Sequence, residues 1–165
     1  MKKHVLIFSV IVSSFLLVAC GGGEGADASK VDLGGTFNLE NTAVTANYLL
    51  DGWVHPSNQF DGADEGNKAV VLNLTAKNSG TEEFSELSTN FSLSFGGEVV
   101  EATNYVGITD DSGLNNCGAT LAAPAGGETT CDLVFEVPDG TDVSNPSLVF
   151  EPLFGDESAQ TFLLK

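Results

Sequence analysis

The stretch that decides the fold covers ten residues and reads Lys68-Ala69-Val70-Val71-Leu72-Asn73-Leu74-Thr75-Ala76-Lys77. Its polarity alternates with a period of two, as in a β-strand that buries one face. The apolar face holds Val70, Leu72, Leu74 and Ala76, and the opposite face holds Asn73, Thr75 and Lys77. Asn78-Ser79-Gly80 follows with turn chemistry and ends the strand.

Further strand patterns lie on both sides of this one. Residues 91–95 and 98–102 alternate around Gly96-Gly97, which predicts a two-residue hairpin. A turn at 124–127 leads into a strand over 129–137, in which Thr130, Asp132 and Glu136 face away from the apolar side. Short strands are expected at 147–151 and 160–164. Residues 42–50 fit a strand better than a helix, although Val44 and Tyr48 would also align on a helix.

These patterns predict an all-β domain. About seven short strands with turns between them, and no long amphipathic helix, are typical of a β-sandwich. Its core would be filled by five phenylalanines: Phe91, Phe95, Phe135, Phe150 and Phe162.

The N-terminus is typical of an exported protein. Lys2, Lys3 and His4 precede an apolar run over 5–18, which is short for a membrane span but suits a signal peptide. Leu17-Val18-Ala19-Cys20 resembles the bacterial lipobox, which implies lipidation of Cys20 and anchoring to a membrane. The alternatives are an ordinary signal peptide with an incidental cysteine, or a short membrane anchor.

This pattern divides the chain into three parts. Residues 1–19 are expected to be a signal peptide, 20–35 the lipidated cysteine with a flexible Gly-rich tether, and 36–165 the sandwich. The protein would then lie outside the cytoplasm. In a Gram-negative host, Gly21 rather than Asp after the lipidated cysteine favours the outer membrane.

Export would place the two remaining cysteines, Cys117 and Cys131, in an oxidising compartment. An even pair in an oxidising compartment is most simply a disulfide, so Cys117 and Cys131 are expected to be bonded. A redox pair or metal ligands are weaker alternatives, because the spacing is not CxxC and only His55 lies after the signal.

The charge is strongly negative. The formal net charge is −17, there is no Arg, and all 23 acids follow residue 20. With Lys2 and Lys3 removed, four Lys face 23 acids, which gives −19. Nucleic acid is therefore excluded as a partner, because phosphate backbones would be repelled. Such a surface resembles that of salt-adapted proteins and predicts greater stability in salt.

No catalytic motif is recognisable in the sequence. His55 is expected in an exposed polar loop, and no nucleophile with a neighbouring base is recognisable. The chain is therefore predicted not to be an enzyme and to need no cofactor.

Two features of the 51–67 segment suggest binding. Asp61, Asp64 and Glu65 offer oxygen ligands that suit Ca²⁺, although the EF-hand spacing is absent and a solvated acidic loop is the simpler interpretation. Trp53 and Phe60 flank a polar stretch. They either form an exposed aromatic pair for a partner or pack over the end of the sandwich.

Two segments resemble a known family. Residues 66–80 are similar to the long strand ending in Asn-x-Gly of bacterial domain of unknown function 4352. Residues 123–128 and 133–138 are similar to its Pro-Gly-Glu turn and Phe-Glu-Val-Pro segment, with Gly126-Gly127 in place of one Gly. The resemblance implies an immunoglobulin-like sandwich displayed outside the cytoplasm, with no catalytic residues to transfer. The chain is thus expected to be an interaction or accessory module whose partner is an unknown envelope protein or small ligand.

Overall fold

The described part of the chain folds almost entirely as β-strands. The computed structural model describes residues 28–55, 63–103, 112–153 and 159–164. Within them lie eleven strands and one 3₁₀ turn, Ser88–Asn90. The strands are β1 Ser29–Asp32, β2 Thr36–Leu39, β3 Thr42–Trp53, β4 Asn67–Asn78, β5 Phe84–Leu87, β6 Phe91–Phe95, β7 Glu98–Glu101, β8 Thr120–Ala123, β9 Glu128–Pro138, β10 Ser147–Phe150 and β11 Gln160–Leu163. No helix in these ranges has the length and apolarity needed to cross a membrane.

The strands form two main antiparallel sheets. Sheet 1 has the order β1-β3-β4-β9, with β2 also paired to β3, and sheet 2 has the order β11-β10-β6-β7. Strands β5 and β8 pair separately. Because β3 is twelve residues long, one of its edges accommodates β2 and then β1. The all-β prediction is confirmed, although eleven strands replace the expected seven.

The core lies between the sheets. Strand β4, which contains the alternating stretch 68–77, lies between β3 and β9 at the centre of sheet 1. Its apolar face is fully buried, as predicted. Phe91 and Phe150 pack with ring centroids 5.2 Å apart, and Phe37 of β2 stacks on Phe162 of β11 at 4.1 Å. All five phenylalanines predicted for the core belong to it or pack against it.

Glycines with positive φ set the geometry of two tight turns. Gly96 and Gly97 have φ of 60° and 101°, the left-handed values that a two-residue hairpin demands. Gly126 has φ of 64° in the turn where the Gly127 N–H donates to the Pro124 carbonyl at 2.9 Å. Both turns were predicted from the sequence.

The start of the domain differs from the prediction. Residues 29–32 were assigned to the tether, but they form β1, and Ser29 pairs with Asp51 while Asp32 pairs with Tyr48. The folded domain therefore begins earlier than expected. Val31 is the one apolar residue of this strand, so no alternation marks it, and β1 forms because it pairs with the edge of β3.

Candidate functional site

Trp53 is not the exposed aromatic residue that a partner site would need. It is 8% exposed and packs on the outer face of sheet 1 against Ala69, Val71 and Val134. Strand β3 continues to Trp53 past the predicted end at residue 50, and this carries the ring onto the sheet. Trp53 therefore packs on the sandwich, as one of the two alternatives expected, but on the outer face of a sheet rather than over its end. Its predicted companion Phe60 lies outside the described residues.

His55 is likewise buried rather than exposed. Its ring meets the Trp53 indole edge-on, with centroids 5.8 Å apart, and the residue is only 4% exposed. The expectation of an exposed loop histidine is wrong, because the ring packs against the Trp53 indole, which itself lies on the sheet.

The described part of the acidic segment proposed for Ca²⁺, residues 63–67, contains a turn that leads into β4. Asp61 lies outside the described residues, and Asp64 and Glu65 are exposed. Oε1 of Glu136 accepts hydrogen bonds from the Asp64 N–H at 2.8 Å and from Nδ2 of Asn67 at 2.9 Å. This carboxylate therefore closes the turn into β4. In the part of the chain that the structure describes, no three His, Cys, Asp or Glu side chains are grouped to hold a metal.

A cavity of about 320 Å³ lies beside Trp53, lined by Gly52, Trp53, Val54, Ala63, Asn67, Lys68 and Asp139. The Lys68 ammonium in its wall pairs with Oδ1 of Asp51 at 2.7 Å and donates to the Thr141 carbonyl at 2.9 Å. Its charge is therefore already balanced within the protein.

The predicted disulfide is confirmed. Cys117 and Cys131 are bonded, with Cα atoms 4.9 Å apart. The bond holds residues 115–117 along the edge of β9. There the Cys117 N–H donates to the Asp132 carbonyl at 3.0 Å, and the Asp132 N–H donates to the Asn115 carbonyl at 2.7 Å. This segment covers a strand edge that would otherwise be free to pair with another chain.

Asp132 is a buried carboxylate on the outer face of sheet 1. It is 3% exposed, and both of its oxygens are hydrogen-bonded. Oδ1 accepts from Nδ2 of Asn73 at 2.7 Å, and Oδ2 accepts from the Asn115 N–H at 2.7 Å. A buried charge requires such partners, because its desolvation is otherwise unfavourable.

Asn47 extends this network to β3. A β-bulge at residue 47 shifts the register between Ala46 and Tyr48. Nδ2 of Asn47 then donates to Oδ1 of Asn73 and to Oγ1 of Thr75, each at 2.8 Å. The bulge therefore aligns side chains of three strands in one hydrogen-bonded line.

Beside this line lies the threonine row: Thr36, Thr45, Thr75 and Thr130. These residues are direct cross-strand neighbours on β2, β3, β4 and β9. The Thr36 and Thr45 hydroxyls are 2.9 Å apart, and those of Thr75 and Thr130 are 2.8 Å apart. Thr36 and Thr130 are exposed and the middle two are half-buried, so solvent reaches the row.

Tyr48 and Lys30 lie next to the network. The Lys30 ammonium sits 4.7 Å above the centroid of the Tyr48 ring and 3.0 Å from Oδ1 of Asp32. Burial and the negative charge of Asp132 raise the pKa of Tyr48 above its usual 10.0, while Lys30 opposes the rise. The phenol therefore stays neutral over the physiological range.

Together these side chains make the polar face: Asn47, Tyr48, Asn73, Asp132 and the threonine row. No sequence motif marks this site. The alternation of β4 and β9 predicted that Asn73, Thr75, Thr130 and Asp132 point away from the core. It could not predict that the register would bring them together across four strands. The face offers hydroxyl, amide and carboxylate groups for hydrogen bonding.

Comparison with known proteins identifies a family. The family model described as "Domain of unknown function (DUF4352)" matches residues 31–159. No curated protein matches the chain in sequence.

Solved bacterial structures share the fold at low identity. A Bacillus subtilis protein described as "a putative lipoprotein (ycdA)" has a TM-score of 0.53 and 19% identity, over 78% of this chain and 37% of that one. A functionally unknown Listeria monocytogenes protein has a TM-score of 0.59 and 12% identity, over 87% of both chains. A conserved hypothetical protein from Bacillus anthracis has 0.53 and 12%, over 86% of this chain and 100% of that one. The match spans little more than a third of the B. subtilis chain, and at these identities the likeness concerns the fold alone.

Proposed function

This chain belongs to the DUF4352 family, and from that premise we propose that it is a lipid-anchored, non-catalytic interaction module that lies outside the bacterial cytoplasm. Cys20 carries the lipid, the following residues form the tether, and the sandwich presents the polar face. The partner is a component of the cell envelope.

Three features support the anchor and the compartment. The N-terminal charges, apolar run and lipobox-like sequence end at Cys20. The disulfide fits an oxidising compartment. A fold neighbour is itself described as "a putative lipoprotein".

The length of the tether sets the reach of the domain. Since β1 begins at Ser29, only residues 21–28 separate it from Cys20. At 3.3–3.6 Å per residue, eight residues extend at most about 28 Å. The sandwich therefore works close to the membrane surface.

One observation carries the interaction role: the polar face holds its side chains in fixed positions while its hydroxyls remain accessible. Asn73 and Asp132 are buried and bonded to each other, whereas Thr36 and Thr130 are exposed beside them. A surface whose polar groups are ordered before binding loses less conformational entropy when a partner arrives.

The anchor is tested by metabolic labelling with a radioactive fatty acid in a bacterial host, followed by cell fractionation. The wild-type chain should take up label and sediment with membranes, and Cys20→Ser should do neither. In a Gram-negative host, Gly21→Asp should shift the labelled protein from the outer to the inner membrane. Equal labelling of wild type and Cys20→Ser would refute the anchor.

The interaction role is tested by placing a photo-crosslinking amino acid at Thr45 in intact cells. The matched control carries the same group at Ser94, on the outer face of sheet 2. A discrete adduct from Thr45 that is absent from Ser94 is the expected result. Adducts of equal yield from both positions, or from neither, would contradict a role for the polar face.

A further inference from the structure

We propose that the polar face binds a neutral polysaccharide, laid across the strands along the threonine row. This inference names a ligand class for the interaction module proposed above and rests on that proposal. Four arguments support it: the spacing of the hydroxyls, their free hydrogen-bonding capacity, the charge of the protein and the aromatic ring beside the row.

The spacing of the row suits a chain of sugars. Neighbouring strands lie about 4.8 Å apart, and the four threonines are in direct register on four neighbouring strands. Hydrogen bonding draws the hydroxyls into two pairs, with 2.9 Å between those of Thr36 and Thr45 and 2.8 Å between those of Thr75 and Thr130. The midpoints of the two pairs are two strand spacings apart, about 10 Å, which is close to the length of two pyranose units. A linear glycan crossing the strands would meet one hydroxyl pair for every two sugars.

The row keeps both donors and acceptors available. A threonine hydroxyl has one hydrogen to donate and two lone pairs to accept. The Thr36–Thr45 bond leaves that pair with one donor and three acceptor positions. The Thr75–Thr130 pair, which also accepts from Asn47, retains one donor and two acceptor positions. Sugar hydroxyls are both donors and acceptors, so they match this mixed pattern.

The charge of the protein selects a neutral ligand. After residue 20 four Lys face 23 acids, and Asp132 lies directly beside the row. Polymers rich in phosphate or carboxylate would be repelled. Lys30, the cation nearest to Tyr48, already pairs with Asp32 at 3.0 Å.

Tyr48 adds an apolar surface at the side of the row. The side chain of Lys30, which is 54% exposed, lies over the ring. When this side chain moves aside, the ring is uncovered and can contact the C–H face of a sugar. Aromatic rings commonly contribute such large, rigid contact areas to binding sites.

Calorimetric titration of the whole chain tests the proposal, with the protein purified in a detergent that has no sugar headgroup. The probes are linear hexamers of glucose, N-acetylglucosamine and mannose, and the anionic probe is a hexamer of galacturonic acid. At least one neutral hexamer should bind saturably, and the anionic hexamer should not bind. Binding of no neutral hexamer, or tighter binding of the anionic one, would overturn the proposal.

Variants assign the binding to the row. Thr45→Val with Thr75→Val keeps the side-chain shape and should weaken the affinity by about tenfold, since two hydrogen-bonding hydroxyls are removed. Ser94→Ala with Ser147→Ala, cross-strand neighbours on sheet 2, is the matched control and should leave the affinity unchanged. If the threonine double variant does not fold, the exposed Thr130→Val replaces it. Undiminished binding by a folded threonine variant would refute the site.

Failure of the polysaccharide proposal can be distinguished from failure of the proposed function. A chain that is labelled with fatty acid and crosslinks from Thr45, yet binds no neutral hexamer, loses only the polysaccharide. A chain that binds a hexamer but takes up no fatty acid loses only the lipid anchor.

Discussion

Asn73 donates a hydrogen bond from Nδ2 to Oδ1 of Asp132 at 2.7 Å, and this bond joins β4 to β9 on the outer face of sheet 1. Both side chains are buried, although the face to which they belong is the polar one. The amide of Asn73 is also the acceptor for Asn47, so one residue connects three strands.

Removal of the Asn73 amide should destabilise the fold. Asn73→Ala leaves one oxygen of a buried carboxylate without its donor, which costs on the order of 2–3 kcal/mol. Urea unfolding measures the change. Ser94→Ala, on the outer face of sheet 2, is the control and should stay within about 0.5 kcal/mol of wild type. An equally small effect of Asn73→Ala would show that the network adds nothing to stability.

Tyr48 should weaken the fold at alkaline pH. Because burial and Asp132 raise its pKa above 10.0, the folded state holds the phenol proton more tightly than the unfolded state. This stabilisation is fully present below pH 10.0 and is lost as the pH rises through the raised pKa. Tyr48→Phe has no proton to lose.

Urea unfolding at several alkaline pH values checks this. The stability of wild type relative to Tyr48→Phe should fall as the pH increases past about 10. Lys30→Gln removes the charge that opposes the rise, so the loss should begin at the same pH but extend to higher pH. A difference between wild type and Tyr48→Phe that does not change with pH would contradict the burial of the phenol.

Loss of the disulfide should loosen one segment most. Cys117→Ala with Cys131→Ala should lower the free energy of unfolding by on the order of 3 kcal/mol, because the unfolded chain is no longer constrained. Hydrogen exchange should rise in residues 112–118, which the bond holds against Asp132, more than in the centre of β4. Uniform exchange changes across both regions would argue against this local role.

Gly126 and Gly140 make a matched pair for the turn geometry. Gly126 has φ of 64°, so Gly126→Ala should cost about 1–2 kcal/mol. A Cβ at Gly140 would meet no atom within 4 Å, and its φ is not in the left-handed range. Gly140→Ala should therefore be neutral or slightly stabilising, since it restricts the unfolded chain. Thermal unfolding that ranks the two variants in the opposite order would refute this assignment.

Salt should stabilise the protein. With a formal net charge of −17, the carboxylates repel one another more in the compact state than in the unfolded chain. Screening at high ionic strength reduces this repulsion, so the melting temperature should rise between low and high NaCl. A melting temperature that does not change with NaCl would remove the salt-adaptation hypothesis.

Much of the fold could be predicted from local patterns. Strands β4, β6, β7 and β9 carry alternation over enough residues to be recognised, and paired glycines mark the hairpin between β6 and β7. The four-residue strands β1, β2, β5 and β8 were missed, although β7, β10 and β11 are equally short and were predicted. Such strands exist because a neighbouring edge pairs with them, and no local pattern records that edge.

The positions of Trp53 and His55 show the same limit. Both lie just before the polar stretch Ser57-Asn58-Gln59. The burial of Trp53 depends on the length of β3 and on Ala69, Val71 and Val134, which are far away in sequence, and His55 in turn packs on Trp53. Contacts across the sheet therefore decided between the two alternatives for Trp53 and overturned the prediction of an exposed His55.

By itself, the sequence determined the all-β class, the acidic surface, the cysteine pair and which side chains of β4 and β9 point away from the core. These properties depend on composition and on the period of two along a single strand. Only the tertiary structure decided that four threonines stand in one row and that Asp132 is buried between Asn73 and Asn115. The reason is physical: strand order, register and the bulge at Asn47 arise from pairing between distant segments, and that pairing brings the polar face together.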